Sequence, residues 1–298
     1  MPSEAKILLG PMRVPFLILT PACVLLGLGT ASMASVDIEA LHVVLVLIGA
    51  LCAHISVNAF NEYFDFKSGL DFRTQRTPFS GGSGTLPQRP EKARTALTTA
   101  WITFAATALV GLYFTVVRGP LLLPLGLVGL LLLYTYTTWF VYRPILCLLA
   151  PGIGFGTLMV MGTHFALTGH YSWTAFWASL IPFFLVSNLL LLNQFPDVDA
   201  DRSTGRRHFP ITIGRRGSSL IYGLFLLLAY LTVILAVYTH QFPAFSLIAL
   251  ATLIFAVPAF VGARRHAENA RKLVPFMALN VVVNIATPVL IATGMLVG

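Results

Sequence analysis

Long apolar stretches separated by short polar segments dominate the sequence. A helix needs about 20 apolar residues to cross a bilayer, and nine stretches come near that length. They are residues 15–34, 41–63, 95–117, 119–141, 144–168, 173–195, 217–240, 244–262 and 273–297. Because no polar segment between them is long enough to fold alone, the pattern predicts one integral membrane domain over residues 1–298. We expect an all-α bundle of nine transmembrane helices.

The composition supports this prediction. Hydrophobic residues make up 57% of the chain and charged residues 10%, whereas soluble domains carry about 25% charged residues. These values exclude a soluble globular protein and also a disordered one, which requires low hydrophobicity. The three cysteines, Cys23, Cys52 and Cys147, lie in apolar stretches without a CxxC pair, so neither a disulfide nor a zinc framework is expected.

The basic residues predict the orientation of the bundle. If nine helices alternate in direction, 18 of the 19 Lys and Arg residues lie on one side and Arg118 lies alone on the other. The positive-inside rule then places the N-terminus in the cytoplasm and the C-terminus outside. The net charge of +8 is therefore attributed to cytoplasmic loops beside anionic lipids of the bilayer and not to binding of nucleic acid.

Six of the 11 acidic residues fall in two short segments, at the cytoplasmic ends of the second and sixth predicted spans. They are Glu62, Asp65 and Asp71 in the first segment and Asp197, Asp199 and Asp201 in the second. Helical spacing places four polar residues of the second span on one face, namely His54, Asn58, Asn61 and Asp65. In the same way it places Asn193, Asp197 and Asp201 on one face of the sixth span. Polar groups inside a membrane segment usually face the bundle interior for a functional reason.

These residue types favour a site for Mg²⁺ and a phosphate ester. Mg²⁺ typically takes one or two carboxylates and completes its shell with water and substrate phosphates. Both acidic segments lack Cys and His, and each is followed by bases that can bind an anion. Those bases are Lys67, Arg73 and Arg76, then Arg202, Arg206 and Arg207. The segment Ser80-Gly-Gly-Ser-Gly84 is compatible with a phosphate cradle and equally with a flexible loop.

The two segments resemble the motifs of the UbiA superfamily of intramembrane prenyltransferases. The stretch Asn61–Asp71 is similar to the family's NDxxD motif followed by a further Asp, and Asp197–Asp201 is similar to its DxxxD motif. The continuation Asp201-Arg-Ser-Thr-Gly-Arg-Arg207 resembles the MenA branch, the 1,4-dihydroxy-2-naphthoate polyprenyltransferases. Three features depart from the pattern. Glu62 stands where the family has Asp, Gln194-Phe-Pro196 replaces the N-x-x-R stretch of that branch, and Pro-Ile-Leu after Arg143 replaces its Gly-Leu-Gly-Glu.

The resemblance implies a set of roles for these residues. The metal ligands would be Asn61, Asp65, Asp71, Asp197 and Asp201, of which Asp65 and Asp197 would be essential for catalysis. The residues that bind diphosphate would be Lys67, Arg76, Arg206, Asn61 and Asn193. Tyr134 would face the reacting allylic carbon. The implied reaction is the Mg²⁺-dependent transfer of an isoprenyl chain from a prenyl diphosphate to an aromatic acceptor within the lipid bilayer. Tyr136 is an equal candidate for the aromatic role.

Three functions remain open at this point. The first is prenyl transfer in quinone biosynthesis, with a naphthoate acceptor favoured weakly. The second is cyclisation of the prenyl chain at the same diphosphate site. The third is a cation-coupled transporter, which is disfavoured because the acids lie at the rim of the bundle and not at its midplane. Asn280 and Asn284, four residues apart in the ninth span, are interpreted either as helix-packing groups or as part of an acceptor site.

Overall fold

The computed structural model describes residues 9–298, and within this range the protein is helical and contains no strand. Nine apolar helices follow one another, and we number them in chain order. They are α1 (Leu19–Ser32), α2 (Ala40–Lys67), α3 (Ala93–Arg118), α4 (Leu122–Thr138), α5 (Pro144–Thr168), α6 (Trp173–Asn193), α7 (Gly214–Tyr238), α8 (Ala244–Arg265) and α9 (Ala270–Val297). The predicted all-α membrane fold is confirmed.

Eight of the nine helices in the described range are long and apolar enough to cross a membrane, where α1 is counted together with the 3₁₀ turns before it as Gly10–Ser32. The exception is α4, which has 17 residues and therefore a length of about 25 Å, shorter than the hydrocarbon core of about 30 Å. The fourth predicted span, 119–141, thus corresponds to a shorter helix. That α4 completes a ninth crossing, and that the N-terminus is cytoplasmic, both remain predictions.

Irregular backbone segments occur before α1, inside α5 and at the start of α8, where Ala244–Thr252 is a 3₁₀ helix. The α1 helix is preceded by two 3₁₀ turns, Gly10–Met12 and Val14–Ile18, joined by Arg13 in a left-handed conformation with φ of 51°. In α5, the segment Ile153–Leu158 is π-helical and follows Pro151. Proline removes a backbone donor inside a helix, and π-helical turns are frequent at functional sites.

The α5 and α6 helices approach closely because glycines lie between them. A Cβ atom added to Gly152 would lie 2.1 Å from the Phe183 carbonyl oxygen, and one added to Gly156 would lie 2.4 Å from the Ser179 carbonyl oxygen. Neither distance is compatible with a side chain. This contact fixes the position of α5 against α6, and both helices contribute to the site described below.

The main apolar core is formed by α1, α5, α6, α7, α8 and α9, and smaller apolar clusters join α2 to α3. The largest fully buried side chains of the main core include Tyr222, Phe195 and several leucines. A cavity lies between α2, α3 and α4 on one side and α5 and α6 on the other. Residues of the loops that follow α2 and α6 also line it.

Labelling of single cysteines tests the predicted orientation. In a background without Cys23, Cys52 and Cys147, Gln88→Cys and Ser203→Cys place thiols on exposed residues of the two loops that carry most bases. We expect both to be protected from a membrane-impermeant reagent in intact cells and labelled after lysis. The control Thr239→Cys, exposed after α7, should label in intact cells. Labelling of either loop before lysis would contradict the cytoplasmic assignment.

Candidate active site

The cavity has a volume of about 580 Å³ and is lined by α2, α3, α4, α5, α6 and α9. On α2 its lining residues extend from Asp65 to Val46, which corresponds to about 28 Å of helix. The end near the loops is polar, and the remainder is lined mostly by aliphatic side chains and glycines. A cavity with a polar end and a long apolar arm suits a ligand that has an ionic group at one end and a long apolar chain at the other.

Most of the sequence-predicted site residues meet at the polar end. The predicted site residues that line the cavity are Asn61, Asp65, Asp71, Asn193, Asp197, Asp201 and Arg206. The stripe His54, Asn58, Asn61 and Asp65 also lies along it, on one face of α2 as the spacing predicts. The first and second acidic segments, 126 residues apart between Asp71 and Asp197, therefore contribute to one site.

The second acidic segment reaches the cavity by a different path from the predicted one. The α6 helix ends at Asn193, a turn follows, and Asp197 precedes a separate short helix, Val198–Ser203. Proline disfavours the helical conformation of the residue before it, so Pro196 accounts for the break. Asn193, Asp197 and Asp201 all line the cavity, but across this break and not on one continuous helix.

Arg206 joins the two acidic segments. Its Nη1 atom donates to Asp201 Oδ1 at 3.2 Å, and its Nη2 atom donates to Asp65 Oδ1. The side chain is 14% exposed, so this arrangement lies largely out of bulk water. A planar guanidinium can bridge two acceptors in this way because its donors diverge from one rigid plane.

His208 and Arg13 belong to the site, although the sequence analysis assigned neither a role. His208 Nε2 lies 2.9 Å from Asp201 Oδ2 in a fully enclosed position. Arg13 Nε donates to Glu62 Oε1 at 2.8 Å, and Arg13 Nη2 donates to Asn61 Oδ1 at 2.8 Å. Arg13 is a basic residue directly before an apolar span, and that position alone does not distinguish it from an orientation charge.

The glycine-rich loop closes over the first acidic segment. Glu62, which is fully buried, accepts hydrogen bonds from the Ser83 backbone N–H and the Ser83 hydroxyl, both at 2.7 Å. Gly82 has φ of +70°, and a Cβ atom there would lie 3.0 Å from Asp71 Oδ1. Glu62 thus anchors the loop and Arg13, and the backbone of Gly81 and Gly82 lines the cavity.

Three predicted residues lie away from the cavity lining. Tyr134 is 40% exposed and stacks on Trp101 at a ring distance of 5.9 Å, whereas Tyr136 lines the cavity. Arg76 donates to the backbone carbonyls of Gly81 and Asp71, each at 3.3 Å. Lys67 is exposed at the end of α2. The roles proposed for these three residues remain predictions. Of the neighbouring aromatic and basic residues, Tyr136 and Arg13 line the cavity.

Two buried carboxylate oxygens of the described chain, Asp71 Oδ2 and Asp197 Oδ1, have no hydrogen-bond partner, and neither has Asn193 Oδ1. Residues 9–298 bring no three acidic, His or Cys side chains into one metal-ligand set. Mg²⁺ needs only one or two carboxylates when substrate phosphates complete its shell. The unpaired oxygens, one from each segment, fit that requirement.

Burial changes the acidity of these two carboxyls. It raises the pKa of Asp71 to about 7, with the Glu62 and Asp65 carboxylates acting in the same direction. Burial also raises the pKa of Asp197 to about 7, again reinforced by a neighbouring carboxylate, Asp201. In both cases the cause is the cost of a negative charge in a poorly solvated, already acidic place. A cation bound there would remove that cost.

Metal affinity should therefore depend steeply on pH. A carboxyl must lose its proton to bind Mg²⁺, so affinity is full above its pKa and falls as the pH drops below it. For two carboxyls of pKa near 7, lowering the pH from about 8 to about 6 should weaken Mg²⁺ binding by roughly 100-fold. Calorimetry with MgCl₂ and a prenyl diphosphate in two buffers of different ionisation enthalpy measures both this change and the accompanying proton release. A pH-independent affinity would contradict it.

The fold and the site together define a membrane helix bundle with one long cavity that is polar at its mouth and apolar along its length. Residues 19–282 match the UbiA prenyltransferase family. The match covers most of the chain, and the protein belongs to this family and is a prenyltransferase. The resemblance predicted from the two acidic segments is confirmed.

Individual relatives agree with this assignment. The chain is 29% identical over 220 residues to 1,4-dihydroxy-2-naphthoate octaprenyltransferase of Bacillus subtilis (strain 168), covering 72% of this chain and 69% of the relative. Its fold is similar to that of a UbiA homolog from Aeropyrum pernix K1, with a TM-score of 0.71, 19% identity and coverage of 95% and 97%. It is also similar to a UbiA homolog from Archaeoglobus fulgidus bound to GPP and Mg²⁺, with a TM-score of 0.65, 14% identity and coverage of 96% and 99%.

Proposed function

We propose that this enzyme transfers an isoprenyl chain from a prenyl diphosphate to a 1,4-dihydroxy-2-naphthoate-type acceptor, with Mg²⁺, in menaquinone synthesis. The observation that carries the proposal is the meeting of both acidic segments at the mouth of one long apolar cavity. The naphthoate acceptor is supported by the similarity to the Bacillus subtilis enzyme. The basic loops around the mouth favour a site on the cytoplasmic face of a bacterial cell membrane.

The donor binds with its diphosphate at the mouth and its chain along the apolar arm. Mg²⁺ would be held by Asp71 and Asp197, with Asp65 and Asp201 beside them, and its chemistry is neutralisation of charge on the departing diphosphate. Arg206 and Arg13 lie within the same polar end. Their guanidinium groups donate to diphosphate oxygens in charge-assisted hydrogen bonds, which are about twice as strong as neutral ones.

The cavity walls protect the reactive carbon. Departure of diphosphate leaves an allylic cation, which water would quench, so a site lined by aliphatic side chains is an advantage. An aromatic face can stabilise a cation, and Tyr136 lines the cavity close to the polar end. The electron-rich ring of the acceptor then attacks the cation to form the new carbon–carbon bond, and the substituted ring carbon loses a proton to restore aromaticity.

Incubating membranes with a radiolabelled prenyl diphosphate and a panel of aromatic acids tests this function. We expect a prenylated product with 1,4-dihydroxy-2-naphthoate, formed with Mg²⁺ and abolished by EDTA. A cyclic hydrocarbon formed without any acceptor would replace the proposal by cyclisation. Transfer to 4-hydroxybenzoate and not to the naphthoate would keep the prenyltransferase and overturn the acceptor.

A further inference from the structure

A group of polar side chains lies in the apolar interior where α6, α7 and α9 pack together. Asn188 on α6, Tyr222 on α7, and Asn280 and Asn284 on α9 are each at most 1% exposed. Asn188 Nδ2 donates to the Tyr222 carbonyl at 2.7 Å, the Tyr222 hydroxyl donates to Asn280 Oδ1 at 3.0 Å, and Asn284 Nδ2 donates to the Asn280 carbonyl at 2.9 Å. These bonds account for a role in helix packing.

The same bonds leave polar atoms without partners. Within the described chain, Asn188 Oδ1, Asn280 Nδ2 and Asn284 Oδ1 are buried and make no hydrogen bond. A buried polar group that lacks a partner costs about 1–3 kcal/mol. Packing alone therefore does not explain why three amides are retained here.

Asn284 differs from the other members of the group because it borders the cavity. Val281 and Ile285, on the same face of α9, line the cavity with it, whereas Asn188, Tyr222 and Asn280 do not. On α6, Leu190 also lines the cavity, one helical turn from Asn193, whose Oδ1 is also unpaired. Asn284 thus lies between apolar lining residues of the cavity.

We propose that Asn284 Oδ1 accepts a hydrogen bond from a hydroxyl group of the aromatic acceptor and so orients its ring, an inference that rests on the proposed function. A carboxamide oxygen only accepts hydrogen bonds, so its partner must be a donor. An isoprenyl chain has no donor. A phenolic hydroxyl is the donor that an aromatic substrate brings into an apolar part of the cavity, and the acceptor class is therefore a hydroxylated ring.

The test compares acceptors that differ by one hydroxyl. The probes are 1,4-dihydroxy-2-naphthoate, 1-hydroxy-2-naphthoate and 4-hydroxy-2-naphthoate, with the last two measured as competitive inhibitors so that ring reactivity does not matter. Asn284→Leu should weaken the dihydroxy compound and one monohydroxy compound by roughly 10- to 100-fold each. The other monohydroxy compound, which lacks the recognised hydroxyl, should bind the variant and the wild type equally.

Asn188→Leu is the matched control, because Asn188 is equally buried and has an unpaired oxygen but does not line the cavity. It should change all three affinities alike. Equal weakening of all three compounds by Asn284→Leu, or no weakening of any, would overturn the inference. If Asn284→Leu does not accumulate in membranes, Asn284→Ala is measured by the same criterion.

The outcomes separate this inference from the proposed function. Wild-type enzyme that neither prenylates nor binds any naphthoate would refute the proposed acceptor. Wild-type enzyme that prenylates 1,4-dihydroxy-2-naphthoate, while Asn284→Leu weakens all three compounds equally or none of them, would refute the role of Asn284 alone.

Discussion

Asp65→Asn and Asp197→Asn should each lower the rate of prenyl transfer by at least about 100-fold, comparable to removal of a main electrostatic stabiliser. Each substitution keeps the shape of the side chain and removes the negative charge on which the metal and Arg206 depend. Asp65 is paired with Arg206 and lies beside the second acidic segment, and Asp197 has an unpaired oxygen in the cavity. Single-turnover kinetics with saturating donor measures the loss at the chemical step.

Asp199→Asn is the control for this prediction. Asp199 belongs to the same segment, but its side chain is 84% exposed and contacts Arg202 and Arg215 only at 3.7 Å or beyond. It should retain near-wild-type activity. All three variants should insert and purify normally, because the substituted groups lie at the rim of the bundle. Near-native turnover in Asp65→Asn or Asp197→Asn would remove that residue from the catalytic role.

Arg206→Lys should reduce kcat/KM for the prenyl diphosphate by roughly 10- to 100-fold, the range expected for a hydrogen bond to a charged group. Lysine keeps the charge, so an effect of this size can come only from loss of the planar donor pair. That pair joins Asp201 and Asp65 in the structure. The acceptor KM should change much less, since Arg206 is proposed to bind the donor.

Arg264→Lys tests whether an arginine in another basic loop behaves in the same way. Arg264 is exposed near the end of α8, and its loop follows no acidic segment. Equal kcat/KM in Arg206→Lys, Arg264→Lys and wild type would mean that Arg206 contributes only to orientation. Arg76→Lys should lie between them, because Arg76 holds the glycine-rich loop through backbone carbonyls.

The sequence predicted those features that one continuous helix determines. The stripe from His54 to Asp65 needed only the helical period, and α2 is regular throughout. The second stripe was wrong in detail, because Pro196 ends α6 early, yet the turn that follows still brings Asp197 to the cavity. The length of α4 was overestimated, since the apolar run continues beyond Thr138 into a short 3₁₀ turn, Phe140–Tyr142.

Features that depend on distant contacts could not be predicted in this way. Tyr134 and Tyr136 are two residues apart and point to nearly opposite faces of α4. Because α4 is apolar on every side, its sequence does not identify the face that lines the cavity. Arg13 pairs with Glu62, which lies 49 residues away in the sequence. The backbone turns at Arg13 itself, which has a left-handed conformation. No local pattern indicates that contact.

Binding of an unreactive donor shows whether both acidic segments form one Mg²⁺-dependent diphosphate site. The measurement is calorimetric titration of geranyl S-thiolodiphosphate into wild type, Asp65→Asn and Asp197→Asn, each with MgCl₂ and with EDTA. We expect tight binding to wild type only with Mg²⁺. The affinity should fall by at least about 10-fold in either variant, which corresponds to the loss of one charged hydrogen bond. Binding that persists in EDTA, or that is unchanged when one of the two segments is altered, would contradict a single shared site.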